Sequence, residues 1–321
     1  MIAAPAFACP VSVAIDIIVS TCWTYAQFDG FLEAFVVQTV TPADLTITPR
    51  DVRFGRGTRL RRWWLNNDPF ATAFYNALSV TFPKGEAYFI ESVRNFREGT
   101  PPRLHAEIQA FIKQEIFHTR EHVAFNRQVA EQGYDTAPLE KHIDEALELT
   151  KAAPPIAHLA ATMALEHFTA MLANQLIANP RHLKGGDEQV VALWRWHAAE
   201  EIEHKGVAYD TWLHATRHWS RWQRWKIKAL VMIGTTREFF SGRYKAMLEL
   251  LRQDGITGIR AHVGILWYSL GWPGMARKIL GAWIAYFLPG FHPWNHDDRK
   301  LISLAESDYA AAILPRKESV A

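Results

Sequence analysis

The feature that most constrains this chain is a chemical pattern that occurs twice: a glutamate on one helical segment, then Glu-x-x-His on the next. In QEIFHTREHVAFN, Glu115, His118 and His122 stand at offsets of three and seven; in WHAAEEIEHKGVAYD, His197, Glu201 and His204 stand at offsets of four and seven. A 3.6-residue period places each set on a single stripe of its helix. A carboxylate and an imidazole one turn apart can reach the same ion, whereas a bridging carboxylate must approach from another backbone. Glu86, 29 residues before Glu115, and Glu166, 35 residues before Glu201, are the candidates for that bridge, each one helical hairpin upstream. Glu91 competes with Glu86 but faces more than about 100° away on the same helix, and the spacing favours Glu86. Such a pattern calls for four helices side by side around a two-metal site.

Punctuation elsewhere supports an all-α chain. The Trp-rich run RRWWLNNDPFATAFYNALSVTF reads as a short helix ending at a turn, Pro83-Lys84-Gly85, with a new helix opening at Glu86. Leu104 to about Gln132 is a long helical pattern closed by Gly133, and Asp135–Glu148 is a shorter charged one. Pro155–Ala178 is a third long helix, and Asp187 opens a fourth that is expected to run to about His218. No strand alternation and no tandem repeat appear. The expected organisation is a variable N-terminal extension (1–46), a helical di-metal bundle (47–218), an aromatic and basic helical region packing on it (219–300) and a C-terminal tail (301–321). The apolar N-terminal run lacks the basic start of a signal peptide and is interrupted by Asp16, so it is read as an extension, with an accessory helix as the alternative.

A lone Glu-x-x-His is common on exposed helices, where it is a weak surface pair. Two copies, each behind a glutamate and beside Ile116, Phe117, Ile202 and Val207, favour an inward site. His122 and His197 are read as either extra ligands or partners that orient one. His158 is expected to be a core or cap histidine, His292 and His296 to be structural or part of a closing flap, and Glu121, Glu200 and Glu203 to be surface or helix-to-helix ion-pair residues. Only two cysteines are present, so a metal here is held by nitrogen and oxygen. A formal net charge of +2 gives no field to recruit nucleic acid, and a reducing cytoplasm is the expected location, with contact to the inner membrane a further option.

FPKGEAYFIESVRNFR, FIKQEIFHTREHVAFN, ALEHFTAML, LWRWHAAEEIEHKGVAYD and PGFHPWNHDD together resemble the bacterial family described as predicted metal-dependent hydrolases, a group of ferritin-like helical proteins; the likeness runs from about Ile47 to Asp298. The resemblance implies Glu86, Glu115, His118, Glu166, Glu201 and His204 as metal ligands. It implies a ferritin-like four-helix bundle with additional N- and C-terminal helices. Glutamate and histidine without thiolate suit two iron ions first, with manganese or zinc as alternatives. Ferritin-like di-iron bundles work on dioxygen, as in the ribonucleotide reductase small subunit, fatty-acid desaturases and arylamine oxygenases. The first expectation is therefore a di-iron oxidase or oxygenase acting on a hydrophobic small molecule, served by an electron-donor protein. The alternative is a di-metal hydrolase of esters or phosphoesters, and a non-catalytic metal-handling protein ranks third. A homodimer is compatible with this reading.

From Trp219 onward the composition changes. RWQRWKIKALVMIGTTREFF sets Arg221, Trp222, Arg224, Trp225, Lys226 and Lys228 beside an apolar run, and GILWYSLGWPGMARKILGAWIAYFLPGFHPW is richly aromatic. These segments fit either peripheral contact with anionic lipid or a layer packed over the bundle around an apolar tunnel, and both favour a hydrophobic substrate.

Overall fold

A computed structural model describes residues 40–55 and 59–313; the N-terminal run through residue 39 lies outside the described residues. Those residues form helices and no strand, apart from one isolated antiparallel bridge between Leu65 and Gly186. Four long helices carry the pattern: α1 (Pro69–Arg94), α2 (Pro102–Glu131), α4 (Pro155–Ala178) and α5 (Glu188–His204), with the shorter α3 (Ala137–Thr150) between α2 and α4. Their ends follow local chemistry. The Asp68 carboxylate accepts from the Phe70 and Ala71 amides with Pro69 at the first helical position, and Asp187 does the same for Gln189 and Val190.

The expected turn at Pro83 is absent, since α1 runs straight through it. Proline there removes the amide that would bond the Ser79 carbonyl. Asn126, on α2, supplies the missing donor: its Nδ2 reaches the Ser79 carbonyl at 3.0 Å. Glu86 consequently sits deep inside α1 and not in a first turn. Asn126→Ala should cost about 1–3 kcal/mol by stranding that carbonyl, and the cost should shrink in a Pro83→Ala background, where the helix restores its own bond. Equal costs in both backgrounds, measured by urea denaturation, would count against this account.

The long helix expected from Asp187 to about His218 is two. It breaks after His204 and resumes as α6 (Val207–Ala215). A Cβ at Gly206 would lie 2.7 Å from Thr41 Oγ1 and 2.9 Å from Trp294 Nε1, so only glycine admits the two segments that close over this corner. Thr41 is itself packed there, donating to Asp210 Oδ2 at 2.6 Å. Beyond it, α7 (Arg221–Gln253) lies across α1 and α4, opened by a reciprocal Ser220–Gln223 capping box. Then come α8 (Gly258–Leu266), α9 (Met275–Lys278), α10 (Leu280–Ala285) and α11 (Arg299–Ile313). Residues 301–313, expected as a tail, are helical in α11, which packs along α5 through Ile302, Ala305 and Tyr309.

Two apolar cores occupy the bundle, one above the other. On α2 the order is Leu104, Ile108 and Phe111 in one core, then the Glu115–His122 stripe, then Phe125 and Val129 in the other. On the antiparallel α1 the order reverses, with Ala71–Val80, then Glu86, then Phe89 and Val93. A polar layer thus lies between two apolar ones. Among the described residues α4 is long and apolar enough to cross a membrane, yet it is the bundle's central helix and most of its apolar stretch is buried.

Candidate metal centre

All eight residues singled out from the sequence converge in that polar layer, and all are buried: Glu86, Glu115, His118, His122, Glu166, His197, Glu201 and His204. Glu91 is not among them; its side chain is 64% exposed and pairs with Arg94. His204 Nε2 lies 3.3 Å from Glu115 Oε1, 3.4 Å from Glu166 Oε2 and 3.5 Å from Glu201 Oε2. His118 Nδ1 lies 3.8 Å from Glu115 Oε1 and 3.6 Å from Glu201 Oε1. Glu86 Oε2 accepts from Thr119 Oγ1 at 2.8 Å.

Donor atoms of Glu86, Glu115 and His118 come within 4.8 Å of one another, as do those of Glu115, Glu201 and His204, those of His118, His197 and Glu201, and those of Glu86, His122 and His197. Glu86, Glu115 and Glu201 each belong to two of these groups, and Glu166 joins through its 3.4 Å contact with His204. The four carboxylates enter the layer from four helices, Glu86 from α1, Glu115 from α2, Glu166 from α4 and Glu201 from α5.

Eight buried polar atoms in this layer make no well-formed hydrogen bond, and their ion-pair contacts lie at 3.3 Å or more: Glu86 Oε1, both oxygens of Glu115 and of Glu166, Glu201 Oε2, His118 Nδ1 and His204 Nε2. Buried polar atoms are normally satisfied, so a cluster of orphans aimed at one space marks a missing partner. Four carboxylates and two neutral imidazoles also carry the charge that two divalent ions would cancel.

The outer ties fix the tautomers. Gln114 Nε2 donates to Glu203 Oε2 at 2.9 Å, so Gln114 Oε1 is an acceptor and takes the His204 Nδ1 proton at 3.0 Å, leaving the Nε2 lone pair facing the carboxylates. Glu200 Oε2 accepts from His118 Nε2 at 3.1 Å and turns Nδ1 to the carboxylates, where it offers a lone pair once a metal displaces the proton that the metal-free imidazolium holds. The two ties cross. Each histidine is held by the residue that immediately precedes the glutamate of the other pair, Gln114 before Glu115 and Glu200 before Glu201. Both ties then meet at Arg50, whose guanidinium contacts Glu200 and Glu203 and reaches Glu306 on α11.

The carboxylates expected at the surface or in helix-to-helix ion pairs do pair with arginines, but from buried positions. Glu121, Glu200 and Glu203 are buried: Glu200 and Glu203 serve the centre, and Glu121 pairs with Arg120 and accepts from the Phe54 amide. Gln114, Thr119 and Arg50 were not singled out at all. The one available signal was the polar residue before each glutamate, in QEIFH and EEIEH.

A second chain of hydrogen bonds runs through His122 and His197. Asn126 Nδ2 donates to the Ser79 carbonyl, so Asn126 Oδ1 accepts the Ser79 hydroxyl at 2.6 Å. Ser79 Oγ must then accept from His122 Nδ1 at 2.8 Å, and His122 Nε2 accepts from His197 Nδ1 at 2.6 Å. The His197 Nε2 lone pair is left 2.8 Å from Glu201 Oε1, two acceptors facing each other. A proton or a cation belongs between them. Burial, and then the neighbouring His118, hold His197 down to about 4, which disfavours the proton. In this arrangement His197 offers a lone pair toward an ion, and His122 holds His197 in place while itself lying within reach of Glu86. His158 is no part of the centre, bonding Tyr88 and the Ala153 carbonyl. His292 is structural too, linking Asp210 and the Trp294 amide, while His296 is exposed.

Burial pushes Glu166 up to about 8. Burial opposes charge on His118, but Glu115 and Glu200 outweigh it and lift this imidazole to about 10. In the metal-free protein both groups hold protons that the unfolded chain releases, so the stability they confer is lost as pH rises: from 4.5 to about 8 for Glu166, from 6.5 to about 10 for His118. The windows overlap between pH 6.5 and about 8. Across that interval metal-free protein should lose on the order of 3 kcal/mol, and a saturating divalent metal should flatten the slope. A thermal melt series at both conditions checks this.

A family model described as "Predicted metal-dependent hydrolase" matches residues 48–297. No curated protein and no solved structure matches the chain. With a match over most of its length and a buried cluster of glutamates and histidines able to hold metal, the chain belongs to the predicted metal-dependent hydrolase family.

Proposed function

We propose that this protein is a metal-dependent hydrolase whose bundle holds two metal ions, acting on an ester or phosphoester with a hydrophobic body. The eight orphaned donor atoms of the polar layer carry the metal part of this reading, and family membership favours hydrolysis over the oxidation that ranked first from sequence. Glu86, Glu115 and His118 would hold one ion, and Glu166, Glu201 and His204 the other, with His197 as a further donor. Bound ions would supply Lewis-acid polarisation of a carbonyl or phosphoryl group. The chain's own residues do the rest. Glu200 and Gln114 keep the His118 and His204 lone pairs on the centre. Phe111, its ring 4.9 Å from that of His204, and Trp196, 5.0 Å from His118, restrict water.

The donor set favours a second reading, oxidation of a hydrophobic small molecule with dioxygen. Four buried glutamates with imidazoles and no thiolate suit iron or manganese as well as zinc, and an electron-donor protein belongs to this reading alone. Elemental analysis of protein expressed without added metal comes first, followed by ester and phosphoester assays and by optical spectra of the ferrous protein exposed to oxygen. Turnover of esters by zinc- or manganese-loaded protein supports hydrolysis. A transient visible band without ester turnover moves the assignment to oxidation, and protein that retains no metal and binds none on titration overturns both.

A further inference from the structure

Away from the metal centre, a cavity of about 90 Å³ opens at the start of α7, between that helix, α6 and the loop around Leu288–Phe291. A single water needs roughly 10–15 Å³ of such space, so the cavity admits a group of several heavy atoms. Arg221, Arg224 and Lys228 line it at offsets of three and seven, on one stripe of α7. Arg221 is exposed, Arg224 half-buried and Lys228 only 4% exposed, so positive charge runs from the mouth to the floor.

No acidic side chain lines this cavity, and among the described residues none of the three cations has a hydrogen-bond or ion-pair partner. Lys228 rests instead against aromatic faces, its ammonium 4.9 Å from the Tyr286 ring and 5.0 Å from that of Phe291. Burying an ammonium without an anion is costly, and burial alone holds Lys228 down to about 7. The other buried lysine among the described residues, Lys205, is paired with Asp298. The cavity wall is aromatic, with Trp212 and Trp225, and Leu288 at its edge is 56% exposed.

We infer that this cavity is a binding site for the phosphate group of a phosphate monoester with an apolar tail, the phosphate held by Lys228, Arg224 and Arg221 and the tail lying over Leu288. Three cations match a dianion better than a monoanion, and guanidinium forks match phosphate oxygens. The cavity shares no lining residue with the metal centre. Its ligand can come from two sources, a soluble ester or the headgroup of a membrane lipid, and the apolar edge suits both.

The test is calorimetric titration of the full-length protein at low salt with inorganic phosphate and hexyl phosphate, and co-sedimentation with phosphatidylcholine vesicles with and without phosphatidic acid. Arg224→Gln and Lys228→Met are compared with the parent, with circular dichroism to confirm folding. Arg221→Gln, on the exposed mouth, serves if either of these fails to fold. Hexyl phosphate binding that weakens tenfold or more in the variants supports a soluble ester. Binding confined to phosphatidic acid vesicles, and lost in the variants, supports the lipid source. No binding of any phosphate, or binding that the variants leave unchanged, overturns the proposal.

Discussion

Glu115→Gln should strip the centre of both ions together, taking metal content from about two per chain to well below one, since replacing even an outer partner of a ligand costs about 10–100-fold in affinity. Glu115 is the carboxylate that belongs both to the group with Glu86 and His118 and to the group with Glu201 and His204. Glu86→Gln touches the first of these and the neighbouring group with His122 and His197, but not the one with Glu201 and His204, and should leave about one ion per chain. The comparison is informative because the variant has a built-in control for misfolding. Without metal, burial and neighbouring carboxylates raise Glu86 and Glu115 above their ordinary range, so removing one acid from the crowd should leave metal-free Glu115→Gln at least as stable as the metal-free parent. A well-folded variant that still binds two ions would show that the glutamates do not divide the centre in this way.

The second large effect is expected at Arg50→Met. Glu200 is fully buried, Glu203 nearly so, and Arg50 is the cation that both contact. Removing one partner from a buried ion-pair network costs about 3–5 kcal/mol, because the remaining charge is left without compensation. Denaturant titration measures that loss. The distinguishing readout is metal affinity, which should fall about 10–100-fold as Glu200 and Glu203 loosen His118 and Gln114. Glu306→Gln, which removes the partly exposed arm of the same arginine, should cost little on either measure. If Arg50→Met loses stability but holds metal with parental affinity, the arginine only glues α11 and the 40–55 segment to the bundle.

The sequence was most legible where a short-range rule decides the outcome. Helix α4 begins and ends where Pro154-Pro155 and Asn179-Pro180 say it should, and the 3.6-residue period alone brings Glu115 and His118, or Glu201 and His204, to one side of their helices. Spacing also chose Glu86 over Glu91. What stayed hidden depends on partners far along the chain. Pro83 reads as a stop until Asn126, 43 residues later, supplies the lost donor. Gly206 reads as tolerable within a helix until Thr41 and Trp294 are seen to close on it. Glu200 looks like a surface residue because its helix position says nothing about the histidine on α2 that it meets. The division of labour among the carboxylates is likewise a property of four helices together, which no single stripe reveals.

The crossed ties have one more consequence, because they are not chemically equal. His118 leans on a carboxylate, Glu200, and His204 on an amide, Gln114. A charged acceptor behind an imidazole makes it the stronger electron donor to an ion. The two halves of an otherwise twofold arrangement would then differ in affinity, and a stepwise titration would occupy the His118 half first. At one equivalent the dominant species would be a half-filled chain, not an even mixture of empty and full ones, which opens the way to centres that carry two different elements.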